Sequence, residues 1–441
     1  MAIDSTSVDP GVTPSGRDVG RGAVQVVGSG ILGLSTAWHL HLAGFREITV
    51  VDAGPPLHGT TPAGAGFVLP AAADHNRRGG TAALPLAQYS LDFYRQLDLD
   101  GHDIEFGEHG NIVLATTEEF LVESVAGIVR HPLAAPGTRA LSAADVGSLT
   151  GGAVDSREVV GGVLMPLAGQ VTTSEVVRVL TAMLEAEGVV FRYETRVDTI
   201  ETWEGRVARL ITSAGDLAAT TVVLAGGAWM NRLLDGVTST LPLLPMVATR
   251  FVTADVGLPA DMPTIQSRDL GPLWLRNLHG AFSWGAAPGY RSSRQLRAEG
   301  IDTSVTRGRP VVPSLIDAQL AHQATLERVF PALRGAESVT IMQGQPTWTA
   351  DGRPYAGSAP GVEGLWVVGG DNEGGVMNGP GLGRLISDIV TAADRPSAEA
   401  PLADPEAFRL DRFAPGSFTT EEAIEAYIAA DGDRVAHAFA K

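Results

Sequence analysis

Residues Gly28-Ser29-Gly30-Ile31-Leu32-Gly33 form a Gly-x-Gly-x-x-Gly sequence, and an acidic residue, Asp52, follows nineteen positions beyond the last glycine. Glycine at the first position permits a tight turn, at the second lets backbone approach a pyrophosphate, and at the third lets a helix pack closely on a strand. The helix N-terminus would turn its free N–H groups and positive dipole end toward the phosphates, and Asp52 would accept hydrogen bonds from an adenosine ribose. A turn kept glycine-rich for packing alone is the competing reading, and the motif leaves both FAD and NAD open. Two absences remove other chemistry. The chain has no cysteine, and Lys441 is its only lysine, so disulfides, thiolate zinc sites, iron–sulfur clusters, cysteine nucleophiles and an internal lysine Schiff base are excluded. No metal-ligand constellation or catalytic triad is apparent.

The elements that must position the motif can be read from periodicity. Ala23–Val27 is a buried-strand candidate, Leu34–Ala43 has helical spacing and stops at Gly44, and Ile48–Val51 is a second strand, which together make a βαβ unit. Beyond residue 80 the alternation breaks down. A helix is expected over 84–98, a strand pair over 104–115 around His109-Gly110-Asn111, and a helix over 173–187 with Thr173 as N-cap and Gly188 as stop. Three short strands at 189–193, 196–201 and 207–212 suggest a meander, and Thr221–Ala225 a buried strand. Residues 247–253 and 281–285 suggest a larger antiparallel sheet, and 314–329 a helix. Leu365–Gly370 is a strand, Pro380–Val390 a helix with proline in its first turn, and Thr420 to about Ala429 an amphipathic helix.

A chain of 441 residues has room for about three domain-sized units. Its composition, 44% apolar and 19% charged, is that of a soluble globular protein. A net charge of −18 with scattered arginines argues against nucleic-acid binding. Residues 1–22 lack an apolar signal-peptide core and read as a flexible tail, and no stretch approaches a membrane span. The expected location is therefore the cytoplasm.

Three fragments in register resemble the D-amino acid oxidase-like (DAO) family of FAD-dependent oxidoreductases, which includes glycine oxidase, sarcosine oxidases and D-amino acid dehydrogenases. They are Val26–Asp52 with Gly59-Thr60-Thr61-Pro62-Ala63-Gly64-Ala65-Gly66; Ala219–Trp229; and Asp351-Gly352-Arg353-Pro354 with Gly369-Gly370, Gly374-Gly375-Val376-Met377 and Pro380–Arg384. The resemblance spans residues 23 to about 413. It implies an α/β (α+β overall) fold in which a Rossmann-type FAD-binding domain (23–80, 151–238 and 345–413) is interleaved with an antiparallel-sheet substrate domain (81–150 and 239–344). Residues 414–441 would form a helical extension. The implied FAD contacts are Gly28, Ser29, Gly30, Ile31, Leu32, Gly33, Asp52, Ala53, Thr60, Thr61, Ala65, Gly66, Val197, Ala225, Gly226, Trp229, Gly370, Gly374, Gly375, Val376 and Met377.

The implied reaction is oxidation of a C–N bond in an amine or amino acid derivative, by hydride transfer to flavin N5, giving an imine that hydrolyses. The implied partners are a small amine or amino acid substrate and O₂ or another electron acceptor. Departures from the family pattern matter for substrate and tether. Glycine oxidase-like members carry an arginine that clamps the substrate carboxylate where this chain reads Gln343-Gly344-Gln345-Pro346, so Gln345 stands at or beside that position without a guanidinium. Arg250 and Arg276 are candidate replacements, and Trp284 and Trp348 candidate pocket walls. No cysteine is present for a thioether tether, and the tethering histidine position of other members aligns with Ala63, so a non-covalent FAD is expected; His58 and His75 lie nearby. The absence of an internal lysine also removes the residue with which some relatives promote reaction with O₂. Alternative readings are an NAD(P)H-dependent flavin monooxygenase, for which Gly370-Asp371 is a faint match, and a flavin-binding subunit of a larger complex.

Overall fold

The computed structural model describes residues 22–70, 81–303, 309–394, 400–414 and 416–430. Its first sheet has six strands, in the order Tyr355–Ser358, Leu365–Gly369, Thr221–Leu224, Val24–Val27, Ile48–Val51 and Val190–Arg192. All pairs are parallel except the first. Strands buried on both faces read as unbroken apolar runs, and Val24, Val26, Val222, Val223 and Leu224 are indeed fully buried. In register, the carboxyl ends of the four central strands deliver Gly28, Asp52, Ala225 and Gly370 to one edge of the sheet. In open α/β sheets that edge is where ligands bind.

Two helices start earlier than the sequence pattern suggests. The first runs Ile31–Leu42, because Gly30 is extended and serves as N-cap and the Ile31 N–H donates to Thr61 Oγ1 at 3.1 Å. The second runs Gly375–Asp394 and carries Pro380 in its interior instead of its first turn. Proline lacks the N–H that would reach the carbonyl four residues back; here that carbonyl, Val376 O, accepts from Tyr94 OH at 2.9 Å, and Gly381 N donates to Ser90 Oγ at 3.1 Å. Both Tyr94 and Ser90 come from the helix Leu84–Leu99. A Cβ at Gly381 would lie 2.6 Å from Leu86 Cα, and one at Gly383 would lie 2.5 Å from the Ser35 carbonyl carbon. The glycines of this segment therefore serve close packing of three helices.

The second sheet is built around the eleven-residue strand Leu243–Thr253. One edge pairs antiparallel with Ala281–Ala286 and Tyr290–Ser292, the other with Ser338–Gly344 and Thr347–Thr349. Leu273–Leu278, Thr264–Ser267, Asn111–Ala115, Gly161–Met165 and Arg139–Ser142 extend it. Three elements cross the expected domain division. Gly161–Met165 and Thr347–Thr349 pair in this sheet, and Leu84–Leu99 packs in the core beneath the parallel sheet. The expected strand pair over 104–115 is one strand, Asn111–Ala115, preceded by a single bridge from Gly107 to Gln170. Val190–Arg192 leaves the expected meander to join the parallel sheet, and Val197–Trp203, Arg206–Thr212 and Leu217–Ala218 form the meander. Thr172, not Thr173, is the N-cap of the helix Thr173–Ala186.

The helix Glu421–Ala430 packs Ile424 and Ile428 against Leu244, Met246 and Trp348. Its Glu425 accepts from Ser292 Oγ and from the Arg294 guanidinium. Among the described residues no helix is long and apolar enough to cross a membrane, and no cluster of His, Asp and Glu could hold a metal ion.

Candidate functional site

A cavity of about 220 Å³ runs between the carboxyl edge of the parallel sheet and the face of the antiparallel sheet. On the parallel-sheet side it is lined mainly by backbone and small side chains. Gly28 has φ +113°, and a Cβ there would lie 2.5 Å from Ala225 O. The third glycine of the motif, Gly33, does not face the cavity; a methyl at that position would overlap the Gly28 carbonyl. Asp52 accepts from Ser29 N at 2.6 Å, Ser29 Oγ at 2.7 Å and Gly54 N at 3.1 Å, which fixes the glycine turn against the second strand. His58 places Nε2 3.4 Å from Asp52 Oδ1, and its Nδ1 lies 2.9 Å from Pro55 O. The N-cap Gly30 offers no capping side chain, so the helix presents its N-terminal end to the cavity. N–H groups at a helix N-terminus and its positive end make a ready anion site. Thr60 and Thr61 lie opposite, Thr60 Oγ1 accepting from Gln345 N at 3.0 Å. A helix N-terminus, the carboxylate of Asp52 at the end of the second strand, and a lining of glycines and short hydroxyls fit the demands of a dinucleotide.

On the antiparallel-sheet side the lining includes three long side chains, Arg250, Trp274 and Gln345. Arg250 is only 8% exposed; one Nη donates to Gly64 O, and its Nε has no partner. No described carboxylate lies within ion-pair distance of Arg250 or of Arg276. Loss of hydration pushes the Arg250 guanidinium down to about 10, with the charge of Arg309 adding to the effect. Arg276 goes to about 9 for the same reason, with the Arg250 charge adding. Both stay cationic at neutral pH, and no described ion pair compensates their charge. Trp274 also lines the cavity, because Leu273 and Leu275 alternate into the core on the other face. A Cβ at Gly285, opposite Trp274 across the strand pair, would overlap the indole. Asp371 and Glu373 complete this end.

Of the sequence-derived positions, Gly28, Gly30, Ile31, Leu32, Asp52, Ala53, Thr60, Thr61, Ala65, Val197, Ala225, Gly226, Trp229, Gly370, Gly375, Val376, Arg250 and Gln345 line the cavity. Ser29, Gly33, Gly66, Gly374 and Met377 do not. Ser29 binds Asp52, and Gly66 has φ +82° where a Cβ would overlap Val171 O. Arg276 stands behind the wall, donating to Val171 O at 3.0 Å and Thr172 Oγ1 at 3.1 Å. Trp284 lies in the core edge-on to Phe251, with ring centroids 5.5 Å apart, and Trp348 lies under the C-terminal helix. His75 falls outside the described residues. Sequence reasoning missed Trp274 and Glu373 as cavity residues; His58 and Asp371, named only beside a tether position and in a faint Gly-Asp match, also line the cavity. The signal for the acidic pair was an Asp-Asn-Glu triplet between two glycine pairs, Gly369-Gly370 and Gly374-Gly375.

Comparison with known proteins agrees with this geometry. Glycine oxidase of Pseudomonas putida is 29% identical over 395 residues, covering 87% of this chain and 96% of the relative. Human mitochondrial dimethylglycine dehydrogenase is 23% identical over 92% of this chain, which spans 46% of that longer protein. The crystal structure of glycine oxidase from Geobacillus kaustophilus superposes with a TM-score of 0.71 at 23% identity, over 89% of this chain and 98% of that one. The model of the FAD dependent oxidoreductase family DAO matches residues 23–389. With that match over most of its length, and with its glycine turn, Asp52 carboxylate and helix N-terminus in one cavity, the chain belongs to the DAO family of FAD-dependent oxidoreductases.

Proposed function

We propose that this enzyme oxidises a C–N bond of an amine or amino acid derivative whose anionic group is held by Arg250. The observation that carries the reading is a buried, unneutralised guanidinium in the same cavity as the dinucleotide-binding turn. FAD, when bound, would supply the two-electron acceptor for a hydride from the carbon next to the substrate nitrogen. The residues do the rest. N–H groups at the start of the Ile31–Leu42 helix would hold the pyrophosphate, Asp52 the ribose and the backbone around Val197 the adenine edge. The N-terminal end of the Gly375–Asp394 helix lines the cavity and would offer its positive dipole to negative charge on the reduced cofactor. A charged hydrogen bond from Arg250 orients the substrate, and Trp274 limits where it can lie. The imine product leaves and hydrolyses in water.

Arg250 replaces the guanidinium missing at Gln345, whose amide Nε2 turns to Ser293 Oγ and Thr303 O at 3.0 and 3.1 Å. We propose non-covalent FAD, since the chain has no cysteine and His58 is held by Pro55 and Asp52. Flavin colour in the supernatant after acid precipitation is the expected result; colour in the pellet overturns it. The reaction is tested by an anaerobic panel of D-amino acids, N-methyl amino acids, cyclic imino acids and carboxylate-free amines. Loss of flavin absorbance with a carboxylate-bearing amine is expected, and failure of every amine sinks the reading. Admission of air then separates an oxidase, which recovers its colour fast, from a dehydrogenase that uses another acceptor.

A further inference from the structure

The substrate end of the cavity carries a second charge, opposite in sign to Arg250 and supported by a different set of residues. Glu373 lies in the loop between the strand Leu365–Gly369 and the helix Gly375–Asp394. Asn372 and Glu373 have φ of +52° and +68°, left-handed backbone that few residues other than glycine adopt. Asn372 offsets the strain with a set of hydrogen bonds. Its N–H donates to Thr347 O at 2.9 Å, its Nδ2 donates to Gly370 O at 2.8 Å, and its Oδ1 accepts from Thr349 N at 2.9 Å. The loop is thereby pinned in the conformation that turns Glu373 to the cavity.

There its carboxylate accepts from Tyr290 OH at 2.5 Å, and Tyr290 OH accepts in turn from Trp274 Nε1 at 2.6 Å. Tyr290 pairs with Ala248, and Arg250 is two residues further along the same strand and so on the same face. Two unmatched polar atoms flank this charge pair. Gln345, 5% exposed and lining the cavity, has an Oε1 with no donor, while Arg250 has an Nε with no acceptor. One calls for an N–H donor in the ligand and the other for an acceptor. A carboxylate beside the indole of Trp274 is an arrangement that attracts a cation through charge and through the ring quadrupole.

We propose that Glu373 and the face of Trp274 bind the substrate's amino group as a cation while Arg250 binds its anionic group, so that preferred substrates are zwitterions gripped at both charges. The proposal rests on the amine-oxidising reading above for its substrate class, but its test needs no turnover. Glycine betaine and 3,3-dimethylbutanoate have the same shape and the same carboxylate, and differ in a quaternary nitrogen against a quaternary carbon. Neither has an amine lone pair to oxidise. Calorimetric titration of the FAD-loaded enzyme is expected to show glycine betaine binding at least about tenfold more tightly, as one charge-assisted contact requires. In Glu373→Gln the preference is expected to fall to about twofold or less, and in Arg250→Met both probes are expected to weaken together. Equal affinities in the unaltered enzyme, no measurable binding of glycine betaine, or a preference that survives in Glu373→Gln would each overturn the proposal. If the charge preference holds while no amine bleaches the flavin, the oxidation reading fails and the two-charge site stands. If amines bleach the flavin without the preference, oxidation stands and the two-charge site is lost.

Discussion

The parallel-sheet wall of the cavity presents mainly backbone amides, glycines and short hydroxyls beside Asp52, Trp229 and Arg232, whereas the antiparallel-sheet wall presents a guanidinium and an indole, and two carboxylates reach the junction from the loop after Leu365–Gly369. A cofactor common to a whole family needs close backbone approach, and that need is met by removing side chains at fixed positions. A substrate peculiar to one member needs charges placed in space, and many strand positions can supply them. The two walls should therefore fail differently when altered. On the cofactor wall the largest effect is expected for Gly33→Ala, whose added methyl overlaps the Gly28 carbonyl. Overpacking of this kind costs about 1–3 kcal/mol, and here it opens the turn proposed to hold the pyrophosphate. Purified Gly33→Ala should lose most of its flavin absorbance relative to protein and melt at a lower temperature. Retention of full flavin would remove the distinction between the walls.

On the substrate wall, Arg250→Met should leave flavin content intact and raise KM for a carboxylate-bearing amine by roughly 10–100-fold, the worth of a charged hydrogen bond. Carboxylate-free amines should be indifferent to it. The melting temperature should hold or rise, because a buried cation without a described counter-ion is removed. A steep loss of stability instead would make Arg250 a structural residue bracing Gly64.

The same contrast explains what could be read from the sequence. Gly28, Gly30, Asp52, Ala225 and Gly370 were legible because a tight turn or a strand end leaves a local signature in a few adjacent residues. Trp284 was named as a pocket wall, and Trp274, which is one, was not. Both sit on neighbouring strands, yet Trp284 pairs with Leu275 and faces Phe251 in the core, while Trp274 pairs with Gly285 and faces the cavity. Strand register decides this, and a shift of one residue exchanges the faces. The alternation Leu273-Trp274-Leu275-Arg276 carried the information, but only for a reader who knew which face was core. The start of the helix at Gly375 was missed for a related reason. Pro380 reads as a first-turn residue, and the donor that lets it sit further inside, Tyr94, is 282 positions from Val376 in sequence.

That distant support gives a smaller prediction on the cofactor side. Tyr94→Phe leaves Val376 O without its donor inside a fully packed core. A loss of about 1–2 kcal/mol is expected, seen as a lower melting temperature with KM unchanged. A changed KM would mean that the helix start is coupled to the substrate wall.

Asp371 stands where the two walls meet, and its ionisation offers the finest test. Desolvation, with the charge of Glu373 adding, pushes its carboxyl up from 3.8 to about 6. The folded state thus holds this proton more tightly than the unfolded chain does, so the favourable contribution is complete below about pH 4 and is lost as pH rises through about 6. Asp371→Asn cannot ionise and should escape that loss. Each tenfold difference in proton affinity corresponds to about 1.4 kcal/mol, and solvent screening in an open cavity reduces the full effect to about 1–2 kcal/mol. Thermal melts of the flavin-loaded enzyme should therefore show Asp371→Asn more stable than the unaltered protein at pH 8 and equal to it near pH 4. Equal stability at both pH values would mean that Asp371 is solvated well enough to belong to the open side of the cavity, and that the acidic corner is held by Glu373 alone.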